Sequence, residues 1–265
     1  MFDSTPALLY HKVTPNWEPG FTWTPPELFQ RQMERLASLG WRTILPDQVG
    51  RTSSVGGCDS EKQFLLVFDD GYECIYRYAF PILKSLGFRA VVFMPSDYIG
   101  RWNEWDYHFG GRRFKHLDWD MLSEMVAAGW MIGSHSVSHC DLTGLDDEHL
   151  MFELTDSRRS LEDRLGIAVD WTAFPFGRYD RRVLDAAQNT GYTGAMVSVM
   201  RENIVPERFV LWAVDAVYLL DTVGTVSKRL ERRGWSYPVG RLFRRCVNYC
   251  SGGTVILQRL TKRRL

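Results

Sequence analysis

The sequence predicts an α/β fold, a parallel sheet closed into a distorted (β/α) barrel of about seven units. Three observations lead there. Apolar, β-rich runs alternate along the chain with helical patterns of about a dozen residues, the signature of strand–helix–strand units. The run "QFLLVF", residues 63–68, is continuously apolar, as expected of a strand covered on both faces. Polar residues capable of chemistry follow directly after several of these runs, at the strand ends where such barrels place their sites.

The elements follow in order. Ala7-Leu8-Leu9-Tyr10 reads as a buried strand, with His11 at its end and Lys12 and Pro15 breaking the pattern. "TPPELFQRQMERLASLG" reads as a helix that Thr24 caps, with prolines in the first turn and Gly40 as its stop. "WRTIL" is a short strand, "RTSSVGGCDSEK" a polar loop and "QFLLVF" the central strand. A helix over Cys74 to Leu86, a strand "RAVVFM", a long aromatic loop from Ser96 to His116 and a helix over Asp118 to Ala128 come next. The strand "WMIGSH" precedes a helix from Asp147 to Leu165. After it come the strand "WTAFPF", the helix "DRRVLDAAQNTG" and the strand "YTGAMV". "RFVLWAV" reads as the last strand, before a helix from Asp221 to Arg233. The expected organisation is a barrel over residues 1–233 and a basic tail over residues 234–265.

Composition bounds the reading. Apolar residues make up 45% of 265, enough for a sizeable core and too many for a disordered chain. The longest apolar runs fall short of the roughly 18 residues of a membrane-spanning helix. "MFDSTPALLY" lacks the basic flank and long apolar stretch of a signal peptide, so a cytoplasmic location is expected. Five scattered cysteines, Cys58, Cys74, Cys140, Cys246 and Cys250, fit neither a disulfide framework nor a zinc ribbon. The net charge of zero hides an asymmetry: from Lys228 onward eleven basic residues face one acid, Glu231. Such a tail suits an anionic membrane face, at the inner side of the membrane, or a phosphate-bearing substrate. Nucleic acid is not an expected partner.

Asp69-Asp70-Gly71 follows "QFLLVF", His135 and His139 follow "WMIGS", Pro175-Phe176-Gly177 follows "WTAF" and His11 follows "ALLY". Taken singly, an Asp-Asp-Gly is an ordinary turn, and His-x-x-x-His is modest evidence. Together they place two carboxylates and three histidines at one end of the barrel. Two histidines and one carboxylate can hold a divalent metal with open positions; zinc, iron, cobalt and nickel all suit such a set. A second carboxylate beside the ligand can take a proton from water that the metal has made acidic.

These residues resemble the motifs of the polysaccharide deacetylase family, the NodB-homology or carbohydrate esterase family four enzymes. "FDDG" resembles the first motif, which implies Asp69 as general base and Asp70 as metal ligand. "GSHSVSH" resembles the second, which implies His135 and His139 as ligands. "FPFG" resembles the third, a wall of the substrate groove formed by Pro175, Phe176 and Gly177. The resemblance implies one divalent metal, zinc first among the choices, and an N-acylated amino sugar as substrate. That sugar belongs to a surface polysaccharide or its lipid- or nucleotide-linked precursor. Two departures stand out. Ala173-Phe174 replaces the arginine that usually opens the third motif, and "VILQRL" lacks the histidine of the family's last motif, Leu-x-His. Leu9-Tyr10-His11 has that pattern at the front of the chain, as in a circularly permuted branch of the family, which implies His11 as the general acid.

Other candidates are weaker. Tyr72 is expected to line the groove and its backbone N–H to help stabilise an oxyanion. Asp215 or Arg208 is expected to tune His11 or buttress Asp69, with surface salt bridging as the favoured alternative. Trp102, Trp105, Tyr107 and Trp119 lie in or beside the long loop, for sugar stacking or for packing. His108 and His116 are expected to be exposed. Two other functions fit the same fold: a non-catalytic glycan-binding protein, and a hydrolase of another amide such as a formamide. The complete Asp69, Asp70, His135, His139 set argues against the first.

Overall fold

A computed structural model describes residues 5–17, 21–49, 62–104, 113–200 and 204–231. The 234–265 tail with Cys246 and Cys250, and Trp105, Tyr107 and His108 of the long loop, lie outside the described residues.

Eleven strands and six α-helices lie along the described chain. The strands are β1 (Ala7–Tyr10), β2 (Lys12–Val13), β3 (Trp23–Thr24), β4 (Trp41–Thr43), β5 (Lys62–Phe68), β6 (Val91–Met94), β7 (Met131–Ser134), β8 (Trp171–Ala173), β9 (Gly194–Val197), β10 (Val210–Ala213) and β11 (Asp215–Ala216). The helices are α1 (Pro26–Ser38), α2 (Phe80–Ser85), α3 (Trp119–Ala127), α4 (Asp147–Leu165), α5 (Arg181–Thr190) and α6 (Val223–Glu231). The main sheet runs β10-β9-β8-β7-β6-β5-β1-β11, with β4 beside β5, and every pair is parallel. Only Val214 separates β10 from β11. Residues 210–216 thus bond to β9 with their first half and to β1 with their second, which nearly closes the sheet into a barrel. The first strand of the chain therefore sits between the central strand β5 and the last one.

Side chains alternate across each strand, so the sheet carries two cores. Ala7, Leu9, Leu65, Val67, Val91, Phe93, Trp171, Ala173, Met196, Trp212, Val214 and Ala216 fill the barrel interior. Leu8, Tyr10, Phe64, Leu66, Phe68, Val92 and Met94 point the other way, into the layer beneath the helices. The helix ends are set by local chemistry. Asp118, Asp146 and Asp180 cap α3, α4 and α5 by accepting from Met121, His149 and Val183 N–H groups. Among the described residues no helix is long and apolar enough to cross a membrane.

Three local expectations are corrected. Thr24 does not cap α1: it pairs with Val13 in a two-residue parallel ladder, and Pro25 takes the cap position without a side-chain bond. The helix over Cys74 to Leu86 begins as a π-turn, Ile75–Ala79, before α2. Pro81 explains the wide turn, because its ring has no N–H to donate and would crowd the carbonyl four residues earlier in a regular helix. The closing strand does not stop at Val214 but continues through β11 to Ala216.

Candidate active site

Strand alternation decides what faces the barrel mouth. Leu9 points inward, so His11, two residues on, lies on the same side just beyond β1. The same count from Val67 gives Asp69, and from Met131 and Gly133 gives His135. Asp69 N–H donates to the Tyr10 carbonyl at 3.1 Å, and His135 N–H to the Met94 carbonyl at 3.0 Å, which extends the sheet to these residues.

Asp70, His135 and His139 converge. One donor atom from each lies within 4.8 Å of the others, a set that could hold a metal ion. His139 Nε2 is 3.1 Å and His135 Nε2 3.4 Å from Asp70 Oδ1. His135 Nδ1 lies 2.8 Å from the Ala173 carbonyl oxygen. A carbonyl only accepts, so Nδ1 carries the proton and Nε2 turns a lone pair toward the carboxylate oxygen. Two electron-rich atoms facing each other fit a cation between them. Without one, a second proton on His135 is the relief. Burial opposes that charge, but the hydrogen bond to Asp70 and the charges of Asp69 and Asp70 hold the His135 pKa above its ordinary value. Burial alone would raise the Asp70 pKa, yet the hydrogen bonds from His135 and His139 keep it well below the usual carboxylate range. The donor types fit zinc, iron, cobalt or nickel.

The backbone is strained where these residues sit. Among the described residues the non-glycine positions with positive φ are Asp70 (67°), Ser136 (66°), His139 (55°) and Phe176 (59°). All four belong to the motifs read from the sequence. Gly71 follows with φ 58°, and a Cβ there would meet Met94 Sδ at 2.1 Å, so the turn after Asp70 admits only glycine without a shift in Met94.

Neighbours hold this loop in place. Glu153 of α4, 7% exposed, accepts from Val137 N–H (2.8 Å), Ser138 N–H (2.9 Å) and Ser138 Oγ–H (2.5 Å). Ser136 Oγ accepts from His139 N–H at 3.1 Å, and Ser134 Oγ meets Ser157 Oγ at 2.9 Å. Arg178 pairs with Asp141 at 3.2 Å, tying the loop after His139 to the segment after Gly177. Sequence reasoning missed Glu153 and Ser157. A signal existed: both occupy the buried stripe of α4 with Leu150, Leu154 and Leu161, where apolar residues belong.

The other candidates divide. Asp69 Oδ1 and His11 Nδ1 are buried polar atoms with no hydrogen-bond partner. Burial raises the Asp69 carboxyl above its ordinary value, while the charges of His135 and His11 pull it down and Asp70 pushes it up. No arginine pairs with Asp69 among the described residues, in keeping with Ala173-Phe174 before Pro175. The Phe176 ring packs 4.9 Å from that of His139, with Gly177 half-buried beside it and Pro175 buried beneath.

Several expectations are corrected. The Tyr72 side chain does not line a groove; it is buried, stacked on His116 at 4.8 Å, and its hydroxyl accepts from Asn103 at 3.0 Å. His116 is buried rather than exposed, with Nδ1 2.8 Å from the Asp70 carbonyl oxygen, and burial lowers its pKa to about 4. Asp215 follows inward-facing Val214 and so points outward, 3.8 Å from Arg229 of α6, which agrees with the salt-bridge alternative and not with a place beside His11 and Asp69. Arg208 is exposed before β10, at the far end of the barrel. Trp102 is 51% exposed and pairs through its backbone with Lys115, while Trp119 packs against the outer core under Arg164.

Comparison with known proteins agrees with this geometry. A family profile described as polysaccharide deacetylase matches residues 56–195, more than half of the chain. A Bacillus subtilis (strain 168) protein, YxkH, named for that activity, is 30% identical over 187 residues. The match takes in 71% of this chain but only 62% of that protein's length. The fold is similar to that of a Streptococcus pyogenes deacetylase, PplD, solved with acetate: TM-score 0.70, 20% identity, 86% of this chain and 98% of that one. A polysaccharide deacetylase from Bacillus cereus is similar in fold at TM-score 0.68 and 22% identity, over 85% of this chain and 68% of that one.

Proposed function

The chain belongs to the polysaccharide deacetylase family, and from that premise we propose that it is a metal-dependent hydrolase. It removes the N-acetyl group of an amino sugar in a surface polysaccharide or its lipid- or nucleotide-linked precursor. One observation carries the reading. The Asp70, His135 and His139 donor atoms cluster within 4.8 Å, beside an unpartnered Asp69 Oδ1 and an unpartnered His11 Nδ1.

Asp70, His135 and His139 would hold the metal, zinc first among the choices. When bound, it supplies Lewis acidity, making water more acidic and an acyl carbonyl more electrophilic. The chain's own groups do the rest. Asp69, whose carboxyl prefers the proton more than an ordinary aspartate does, accepts one from the attacking water. The water oxygen bonds to the carbonyl carbon, the C–N bond breaks, and His11 delivers a proton to the leaving nitrogen. The products are a carboxylic acid and a free amine. The Ala173 carbonyl keeps His135 in the tautomer that presents Nε2. We read Leu9-Tyr10-His11 as the family's last motif carried to the front of the chain. The placement of β1 between β5 and β11 supports this, because a strand in that position serves the barrel equally well from either end of the sequence.

The test is metal analysis of the purified protein together with acetate release from N-acetylglucosamine oligomers, with and without chelator. Bound metal and acetate release that chelator abolishes are expected. No metal after reconstitution, or acetate release indifferent to chelator, overturns the reading. Bound metal with no acetate redirects it to another acyl group.

A further inference from the structure

A second recess opens beside the site. It is a cleft of about 390 Å³ whose walls include Glu73, Arg77, Trp102, Arg113 and Lys115. Two backbone bridges fix its position. Tyr72, two residues after Asp70, pairs with His116, and Lys115, the next residue, pairs with Trp102. Neighbouring strands lie about 4.8 Å apart, so the Trp102 wall stands about 10 Å from Tyr72, and Asp70 lies two residues, at most about 7 Å, beyond it. That reach suits a neighbouring unit of a saccharide rather than the one being hydrolysed.

Among the described residues the charges in the cleft do not cancel. Arg77 is met by Glu73 at 2.5 Å. Arg113 and Lys115 have no carboxylate partner among the described residues, and Lys115 is half-buried. Behind the wall the Lys12 amine lies over the rings of Phe114 (4.3 Å) and Tyr72 (4.9 Å). Trp102 stands half out of the surface on the same wall, with its ring open to solvent. An open indole face beside two cations that no described carboxylate neutralises offers stacking for a sugar ring and charge-assisted bonds for an anion on it.

We propose that this cleft is a subsite for a negatively charged saccharide unit, carrying phosphate or carboxylate, next to the amino sugar that is deacetylated. The assignment rests on the deacetylase reading for the location of the scissile unit, and the cleft's own chemistry supplies the charge preference.

The experiment titrates metal-loaded full-length protein with three probes: a neutral N-acetylglucosamine tetramer, a hyaluronan tetramer carrying carboxylates, and N-acetylglucosamine 1-phosphate. At low salt at least one charged probe binds about tenfold tighter than the neutral tetramer, and the advantage shrinks as salt rises. Which charged probe wins distinguishes carboxylate from phosphate. The double variant Arg113→Gln with Lys115→Gln lowers the charged-to-neutral preference about tenfold. Equal binding of all three by the wild type, or an unchanged preference in the double variant, overturns the proposal. Acetate is assayed in the same samples. Charged probes that bind tighter with no acetate from any probe leave the cleft standing and count against the deacetylase reading. Acetate with no charge preference does the reverse.

Discussion

Glu153→Ala is the sharpest test of how this site is held. The carboxylate reaches from α4 to a loop it does not belong to and satisfies Val137 N–H, Ser138 N–H and the Ser138 hydroxyl. Val137 and Ser138 lie between His135 and His139, so the contact fixes the loop that spaces two of the three clustered donors. In the alanine variant the buried Val137 N–H and the half-buried Ser138 N–H lose their acceptor. Each such orphan costs about 1–3 kcal/mol, so the loss is about 2–6 kcal/mol against a typical total of about 5–15. Glu153→Gln keeps one acceptor oxygen and turns an amide toward the remaining donors, which should cost about half as much. Urea denaturation of the metal-free proteins measures this term. A competition titration with zinc and a chromophoric chelator measures the second effect, an expected 10- to 100-fold loss of affinity from a misplaced support. A wild-type urea midpoint in Glu153→Ala would refute the burial argument. A lower midpoint with unchanged zinc affinity would show that the carboxylate serves folding alone and leaves the donors where they were.

The proposed roles separate in three further variants. Asp69→Asn should keep the metal and lose about 10²–10⁴ of turnover, whereas Asp70→Asn should lose the metal itself; metal analysis beside acetate release checks both, and the opposite pattern would exchange the two roles. His11→Ala should cut turnover by about 10²–10⁴ with metal content near that of the wild type, and unchanged turnover would remove His11 from the chemistry. His116 gives a pH prediction. Its pKa in the fold is about 4, below the ordinary value of 6.5, so between those values the unfolded chain binds a proton that the fold refuses. Stability is therefore full above about pH 6.5 and falls with acid down to about pH 4, by about 2–3 kcal/mol at pH 4.5. His116→Asn, with an amide in place of Nδ1, should flatten that part of the profile in urea melts of metal-free protein; parallel profiles for both proteins would count against it.

Much of the fold was legible because parallel barrel strands are buried on both faces. Such strands leave continuous apolar runs, and "QFLLVF" became β5 almost residue for residue. The helix α4 matched its expected span because Asp146 caps it and Gly166 adopts the left-handed stop, both local effects. Less was legible where geometry is set by distant partners. Two-residue ladders such as β2 with β3 have no period to read. His116 resembled an exposed loop histidine until its bridge to Tyr72 brought it under Asp70. Asp215 stands in the right strand for the site, but only the inward count through Trp212, Val214 and Ala216 shows that it points outward.

The same contrast locates the chemistry. A non-glycine residue in the left-handed region costs about 1–2 kcal/mol, and a chain selected for stability alone would avoid four of them. Asp70, Ser136, His139 and Phe176 accept that cost together, at one barrel mouth. For Asp70 and His139 the unusual turn directs a donor atom that an extended strand would carry to the wrong face. Ser136 uses its turn to set an acceptor against the His139 N–H, and Phe176 uses its turn to lay a ring on the His139 imidazole. The surrounding groups over-determine the arrangement: Glu153 from α4, the His116 imidazole on the Asp70 carbonyl, and the Ala173 carbonyl on His135. Local strain and the non-local contacts that maintain it are thus two sides of one arrangement, the convergence of the Asp70, His135 and His139 donor atoms. Local apolar patterns determine the strands that end there, while the directions of the side chains at those ends depend on contacts between segments far apart in the chain.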